Sequence, residues 1–453
     1  MNAIITFCGG IGSVTGANFL LETGTTKLLV DCGLKQGDDF AMRENAKAFP
    51  YEPTVIHALI VTHAHADHIG RIPKLVRDGF RGVIYSTIPT KDLSSVMLRD
   101  ALNVMQIEAE RDGIDPLYTV RDIDQALALW KTVSYHEAIS LPDDVSLEFV
   151  DAGHILGSGL VRLTRNGKVL VFTGDIGNSP QPLLSNPEIP EDASYMVMES
   201  VYGNRLHEQT EDRTDLLLGH IKDTIRKNGT LIIPAFSLER TQIMLFEINN
   251  FVESGEIQPI PVFLDSPLAI AVTDIYRGHR QYLKQSVREQ IDGGDDIFDF
   301  PKLKYTKTVA ASSEIGHTQG AKIIIAGSGM SHGGRVRAHE IHYLSDPKTT
   351  LLLVGYQTVG SVGRLLQDGV KRVAIDGVDV KVRAKVAMIR GYSGHADRDA
   401  LIEFVAKSQQ SLKKVFVTMG EEKASLFLVQ RLRDYLNVDA VAPEPLERAV
   451  IEW

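Results

Sequence analysis

Six consecutive residues place the tightest constraint on how this chain can fold: His63, Ala64, His65, Ala66, Asp67 and His68. On a helix, His63 and His65 would point about 200° apart and could not bind the same ion. A loop after a strand can bring them together, and the segment directly follows the apolar run 58–62. Three imidazoles and one carboxylate suit zinc. A polar surface loop, which is the alternative, gives no reason to place three histidines within one turn.

Length and composition favour a cytoplasmic protein of two domains. A chain of 453 residues is long enough for two hydrophobic cores. It contains no apolar run of about 18 residues and no basic, cleavable N-terminal segment, so neither a membrane span nor secretion is expected. Cys8 and Cys32 cannot form a disulfide framework, which fits the reducing cytoplasm.

The net charge limits the kind of nucleic-acid binding that can be expected. At −10 it argues against a protein that coats nucleic acid non-specifically, because such proteins are normally basic. It does not exclude a nuclease, since metal ions and a few local arginines can hold a phosphate on an acidic molecule.

Two patterns of secondary structure follow one another along the chain. The first 205 residues mix short strand patterns, for example 27–30, with helical stretches such as 91–112, which predicts sheets covered by helices. From about residue 206, helices and strands alternate, for example 211–227, 230–234 and 238–254. This alternation predicts a parallel βαβ layer.

Four further positions carry a histidine or aspartate close to a glycine just after a strand pattern: Asp31, His154, Asp175 and His395. A single aspartate beside a glycine more often forms a turn than a metal site. Taken with the histidine loop, the four positions instead indicate the remaining parts of one metal site.

The order of these residues resembles that of the metallo-β-lactamase superfamily. Asp31 comes first, then the loop 63–68, His154 and Asp175. The resemblance implies an α/β fold of four αββα layers, in which two sheets lie between outer layers of helices.

Later segments resemble the β-CASP family of nucleases within that superfamily. Glu199 stands in a stretch similar to their motif A, His339 in one similar to motif B, and His395 in one similar to motif C. The resemblance covers essentially the whole chain. It implies a metallo-β-lactamase domain built from 1–205 and 339–453, with a β-CASP domain inserted at 206–338.

The resemblance also implies a site for two zinc ions. The ligands of the first ion would be His63, His65 and His154. The ligands of the second would be Asp67, His68 and His395. Asp175 would bridge the two ions, and Asp31 would orient a ligand or the bridging water. Asp31 and Asp67 thereby also count among the catalytic residues.

Two metal ions about 3.5–4 Å apart suit phosphodiester hydrolysis, because they stabilise both the attacking and the leaving oxygen. His339 is the candidate general acid or phosphate donor, and Glu199 would fix its tautomer. The alternatives are a surface histidine and a carboxylate that only accepts backbone hydrogen bonds. The resemblance thus implies a zinc-dependent ribonuclease for RNA processing or decay, acting as an endonuclease, a 5′-exonuclease or both.

The candidates for binding single-stranded RNA come from two observations. Ser237, Ser328 and Gly329 stand in stretches that resemble those of the family, and Arg240 and Arg335 lie near glycine-rich turns. A guanidinium can bind a phosphate through two hydrogen bonds, although a local ion pair is the simpler interpretation of any one arginine. Aromatic residues make up only 7% of the chain, and no stretch of the sequence identifies a base-stacking patch.

Three positions depart from the family pattern. Glu239 stands where a glycine is usual, and Val201 and His332 stand where threonines are usual. These departures concern the details of substrate binding more than hydrolysis. The family is also compatible with a homodimer, which the sequence does not test.

Two other functions remain open from the sequence. A small-molecule metallohydrolase, acting on a thioester, lactone or β-lactam, would share the histidine loop, but it has no use for an insertion of about 130 residues. A non-catalytic RNA-binding protein would share the insertion, but a full set of ligands without a metal would be costly.

Overall fold

The computed structural model describes residues 2–37, 41–113, 115–207, 210–358 and 360–453. They form two compact units. The first contains the chain up to Leu206 together with His395–Trp453, and the second spans His207–Gly394. Among the described residues, no helix combines the length and the apolar character needed to cross a bilayer.

Two sheets of seven strands each form the centre of the first unit. Across the first sheet the strands are Arg448–Glu452, Asn2–Gly9, Asn18–Thr23, Thr26–Val30, Ala58–Ile60, Val83–Ser86 and Trp130–Thr132. Across the second they are Ala440–Val441, Lys414–Val417, Ala193–Met198, Lys168–Phe172, Gly159–Arg165, Val145–Asp151 and Ile139–Leu141.

The apolar core of the first unit lies between the two sheets. Alternate residues of strand Asn2–Gly9 are buried, because successive side chains of a strand point to opposite faces. The ring of Phe7 lies 5.3 Å from that of Phe416 in the other sheet. Phe19 and Phe172 make a second such contact, at 5.9 Å between ring centroids. Aromatic pairs therefore join the inner faces of the sheets.

Helices cover the outer faces of both sheets. The helices of this unit, including one 3₁₀ turn at Pro53–Val55, are Ala41–Ala46, Ala66–Ile69, Ile72–Arg77, Ile88–Asp112, Val120–Ala128, Arg398–Ser408 and Glu422–Leu436. Leu401 and Leu428, from the last two, belong to one apolar cluster with Val171 and Val415 of the second sheet. On the first sheet, Lys91 of Ile88–Asp112 donates to the Trp130 carbonyl at 3.2 Å. The predicted αββα arrangement is confirmed.

The second unit is built on a six-stranded sheet in which every pairing is parallel. Its strands, in order across the sheet, are Leu303–Tyr305, Val262–Asp265, Lys322–Ala326, Thr230–Pro234, Thr350–Leu353 and Lys385–Met388. A separate antiparallel hairpin pairs Arg372–Ile375 with Val378–Lys381. The central strands are buried along their whole length, as expected for a parallel sheet covered on both faces. The predicted βαβ layer is confirmed.

In the described part of the second unit, the helices that precede or connect these strands are Thr210–Lys227, Arg240–Glu253, Pro267–Gly278, Gln285–Asp292, Val309–Glu314, Val336–Tyr343 and Val362–Gln367. Two 3₁₀ turns accompany them, at Arg280–Tyr282 and Ile315–His317.

The chain returns to the first unit later than the resemblance implied. The boundary expected at 339 lies at His395 in the structure. The physical reason is that Thr350–Leu353 and Lys385–Met388 extend the parallel sheet of the second unit by hydrogen bonding. His339, assigned to the first domain from the sequence, therefore belongs to the second unit.

Candidate metal centre

The histidine loop follows a buried strand, as predicted. Strand Ala58–Ile60 pairs in parallel with Thr26–Val30 on one side and Val83–Ser86 on the other. The chain then enters the short helix Ala66–Ile69, and His65 occupies the position just before it. Because parallel strands end at one edge of a sheet, this loop lies beside residues that follow the neighbouring strands.

Four side chains converge on one point: His63, His65, His154 and Asp175. Nε2 of His63 lies 3.3 Å from Oδ2 of Asp175 and 3.0 Å from Nδ1 of His65. Nε2 of His154 lies 3.2 Å from Nδ1 of His65 and 3.5 Å from the same Asp175 oxygen. Ligands of a tetrahedral zinc ion with bonds of about 2.0–2.1 Å stand roughly 3.3 Å apart, so this spacing fits zinc.

The protonation of this group also suits a cation. Burial, with the nearby rings of His63 and His154, lowers the pKa of His65 well below its usual value, so its ring stays neutral and able to bind a metal. Burial alone would raise the pKa of Asp175, but the rings of His68 and His63 outweigh it and hold that pKa well below the usual range.

Asp175 turns its other oxygen toward a second group of ligands. Oδ1 of Asp175 lies 3.4 Å from Nε2 of His68, and Oδ2 of Asp67 lies 3.8 Å from the same nitrogen. Both Oδ1 of Asp175 and Nε2 of His68 are buried and have no hydrogen-bond partner among the described residues. Leaving such atoms unpaired is costly unless a ligand fills the space between them. A second cation would satisfy both.

Asp31 orients the imidazole of His68 by contacting Nδ1, the ring nitrogen that does not face Asp175. Its Oδ2 lies 2.8 Å from Nδ1 of His68, and its two oxygens accept from the backbone amide and the hydroxyl of Thr62, each at 2.8 Å. Burial lowers the pKa of His68, but the carboxylates of Asp175 and Asp31 outweigh it and raise that pKa well above its usual value. A carboxylate that holds Nδ1–H fixes the tautomer and leaves Nε2 for a metal.

Replacing Asp31 with asparagine is expected to weaken metal binding about 10- to 100-fold, because the carboxylate that orients His68 is lost. Competition with a chromogenic zinc chelator measures this change. The matched control is Asp143→Asn: Asp143 accepts from Thr26 at the opposite end of strand Thr26–Val30. Equal affinity in wild type and Asp31→Asn would show that Asp31 does not support the metal site.

His395 is held at the same centre by backbone pairing. It forms an isolated bridge with Gly177, and the amide of Ala396 donates to the Ile176 carbonyl at 2.8 Å. Nδ1 of His395 lies 3.9 Å from Oδ2 of Asp175, and its ring centroid is 4.7 Å from that of His154. Asp175, Glu199 and His395 form a further group of potential ligands.

Glu199 pairs with His395. Its Oε1 lies 3.3 Å from Nδ1 of His395 and accepts from the Ile176 amide at 2.6 Å. Its Oε2 accepts from the Val201 amide at 3.3 Å. Burial lowers the pKa of His395, but Glu199 and Asp175 outweigh it and raise the pKa to about 9.

The carboxylate that contacts His339 is that of Asp265, within the second unit. Nε2 of His339 lies 2.7 Å from Oδ2 of Asp265, whose Oδ1 accepts from Arg335 at 2.7 Å. Asp265 therefore contacts Nε2 of His339 within the second unit, and a role of Glu199 in fixing the tautomer of His339 stays a prediction. The sequence offered one signal for Asp265, since it directly follows the apolar run 262–264.

The predicted RNA-binding residues lie at the carboxyl ends of the parallel strands. The hydroxyl of Ser237 lies 3.3 Å from that of Ser266, and Ser328 accepts from the backbone amides of His332 and Gly333. Arg240 and Arg335 bind protein atoms. Arg240 donates to the Val354 carbonyl, and Arg335 donates to Asp265 and to the carbonyls of Thr306 and Lys307. In these contacts the two arginines hold loops together.

The backbone explains why glycine is usual at position 239. Glu239 has φ 66° and ψ −57°, and the amide of Arg240 donates to the Leu238 carbonyl at 2.9 Å. This is a γ-turn that glycine adopts most readily. The Glu239 carboxylate accepts from the Tyr276 hydroxyl, and burial raises the pKa of Glu239 to about 7.

The two-sheet unit and its histidine cluster define a metallo-β-lactamase domain, and comparison with known proteins agrees. Residues 20–200 match the family model "Metallo-beta-lactamase superfamily domain", and residues 241–366 match "Beta-Casp domain". Residues 379–443 match "Zn-dependent metallo-hydrolase RNA specificity domain".

Similar proteins span nearly the whole chain. Ribonuclease TTHA0252 of Thermus thermophilus is 34% identical over 93% of this chain and 94% of its own length. An RNase J-like protein of Methanocaldococcus jannaschii is 30% identical over 97% and 98%, respectively. Transcription termination factor FttA of Methanosarcina mazei is 31% identical over 98% of this chain and 71% of its own. The chain therefore belongs to the β-CASP family of the metallo-β-lactamase superfamily, a family of metal-dependent hydrolases.

A solved structure shares the fold at a much lower sequence identity. A protein of unknown function from Enterococcus faecalis covers 100% of both chains with a TM-score of 0.58 and 12% identity. This likeness concerns the fold alone.

Proposed function

We propose that this protein is a ribonuclease that uses two zinc ions to hydrolyse single-stranded RNA during RNA processing or decay. The observation that carries the proposal is the position of Asp175, with one oxygen facing the His63, His65 and His154 nitrogens and the other facing His68. Relatives named as ribonucleases and the RNA specificity domain matched at 379–443 support RNA as the substrate.

The donor sets fit two metal ions. His63, His65, His154 and Oδ2 of Asp175 would hold the first, and Asp67, His68 and Oδ1 of Asp175 would hold part of the second. His395 would complete the second set, and Glu199, 3.3 Å from its Nδ1, would orient its ring. When bound, the ions would supply an activated water near neutral pH and positive charge beside the phosphate.

The protein side chains would position the reacting groups and move one proton. Asp31 keeps the proton of His68 on Nδ1, and Glu199 does the same for His395. We propose that His339, held at Nε2 by Asp265, donates a proton or a hydrogen bond to the phosphodiester. The oxygen that leaves the phosphorus needs a proton or a hydrogen bond, whichever group supplies the attacking oxygen.

Chelation is expected to abolish RNA cleavage, and added Zn²⁺ is expected to restore it. The measurement uses single-stranded RNA labelled at the 5′ end in one reaction and at the 3′ end in another. Internal fragments appearing first indicate an endonuclease, and mononucleotides appearing first from the 5′ end indicate an exonuclease. Thioester hydrolysis by the same sample without RNA cleavage would favour the small-molecule hydrolase. Failure of both activities in metal-loaded protein would favour a non-catalytic binding protein.

We further infer a cytoplasmic location, since the free thiols of Cys8 and Cys32 fit a reducing compartment. A homodimer stays a prediction. If the protein is a homodimer, light scattering will give a mass twice that of the 49.9 kDa chain.

A further inference from the structure

Three ring side chains lie exposed at the carboxyl edge of the parallel sheet in the second unit. They follow three neighbouring strands: Phe236 after Thr230–Pro234, His332 after Lys322–Ala326 and Tyr356 after Thr350–Leu353. Because neighbouring parallel strands end at the same edge, the three loops lie side by side.

The exposure of these rings is unusual for this chain. Phe236 is 40% exposed and Tyr356 is 48% exposed. Among the described residues, Tyr435 in the first unit is the other phenylalanine, tyrosine or tryptophan exposed to such an extent. Burying an aromatic ring is strongly favourable, so rings left in solvent at one edge indicate a binding surface.

Gly329 makes room for the Phe236 ring, and Gly355 lies beside it. A Cβ atom on Gly329 would lie 2.8 Å from Cδ2 of Phe236, and one on Gly355 would lie 3.6 Å from Cε2. The ring therefore rests against the loops of both neighbouring strands, and Gly355 directly precedes Tyr356. Gly329, predicted from the sequence to bind substrate, has this supporting role in the structure.

Hydrogen bonds tie the three loops together. The side-chain amide of Gln357 donates to the carbonyls of Gly329 and Gly355, at 3.0 and 3.1 Å. Nε2 of His332 lies 3.3 Å from the Thr358 hydroxyl. The Phe236 carbonyl accepts from the Thr241 hydroxyl at 2.8 Å. The rings are thus held in place before any ligand binds, which reduces the entropy lost on binding.

The topology of the sheet points to the same edge. From strand Thr230–Pro234 the chain crosses to Val262–Asp265, and from the adjacent Lys322–Ala326 it crosses in the opposite direction to Thr350–Leu353. Open α/β sheets bind ligands at the carboxyl ends of adjacent strands that the chain leaves in opposite directions.

We propose that Phe236, His332 and Tyr356 form a platform on which unpaired nucleobases of the RNA stack. The proposal rests on the proposed ribonuclease function and deepens it. Stacking tolerates every base, since each has a π face, but it needs bases that are not enclosed in a duplex. The platform would therefore select single-stranded RNA without selecting its sequence.

The test measures binding in EDTA, so that cleavage plays no part. A single-stranded RNA of about 15 nucleotides carries 2-aminopurine, whose fluorescence falls when it stacks; its affinity is measured by anisotropy. Phe236→Ala and Tyr356→Ala are each expected to weaken binding about 5- to 150-fold and to reduce the quenching. Tyr356→Trp should retain both. Tyr435→Ala, the exposed tyrosine of the first unit, should change neither.

Three outcomes would overturn the platform: wild-type affinity in both alanine variants, the same loss of affinity for an abasic strand, or a blunt duplex bound as tightly as the single strand. An apolar protein partner would instead show as unchanged RNA binding in both variants. If Phe236→Ala lowers the melting temperature, its weaker RNA binding has a second explanation. The affinity of Tyr356→Ala then decides the test, because removing a half-exposed ring disturbs the fold less. The proposed function fails separately, when metal-loaded wild type binds RNA without cutting it.

Discussion

Replacing Asp175 with alanine is expected to remove bound zinc and to lower RNA cleavage by at least about 10³-fold, because two-metal catalysis supplies several kcal/mol of transition-state stabilisation. The reason is geometric: each ligand group takes one oxygen from this carboxylate. Elemental analysis of the purified variant gives the number of ions per chain, and cleavage of labelled RNA gives the rate.

The matched control for this variant is Asp192→Ala. Asp192 is an exposed aspartate of the same unit that pairs with Arg162. It should keep its zinc and its rate. Full activity in Asp175→Ala would refute the two-metal proposal, and loss of one ion with the other retained would show that Asp175 does not bridge.

Replacing His339 with alanine is expected to leave the zinc content unchanged and to lower kcat about 10²- to 10⁴-fold, as for loss of a general acid. Asp265→Asn should act in the same direction, because Asp265 is the carboxylate that orients His339. Single-turnover cleavage and elemental analysis on the same samples separate catalysis from metal binding.

His342→Ala provides the control on the same helix, Val336–Tyr343, where His342 is exposed and its ring lies 4.4 Å from that of Tyr343. It should retain the wild-type rate. If His339→Ala loses zinc, His339 supports the metal centre. If neither rate nor zinc changes, the bond to Asp265 stabilises the second unit alone.

The clustering of His63, His65, His154 and Asp175 could be predicted from sequence because its signals are local. The loop 63–68 carries four of the proposed ligands within six residues, and Asp31 and Asp175 each follow a strand that the apolar pattern identifies. The αββα layers followed from the resemblance. The histidine loop and the strands before Asp31 and Asp175 are short stretches of chain, whose periodicity and spacing can be read directly.

Features that depend on distant pairing were missed. The boundary of the second unit requires knowing that Lys385–Met388 pairs with Thr350–Leu353. The Asp265–His339 contact and the ring platform likewise require the strand order, because they join loops after strands that are far apart in sequence. Alternation and composition narrow the possible strand orders without fixing one. A chain with 7% aromatic residues can still concentrate its exposed rings at one edge.

The six-stranded sheet carries none of the seven proposed zinc ligands, all of which belong to the first unit. Outside Asp265 and His339, loops at its carboxyl edge can thus accumulate substitutions, such as Glu239 and His332, without changing the proposed metal ligands. Evolution could retarget such an enzyme, or change how it engages its transcripts, by rewriting a few turns on an otherwise constant scaffold.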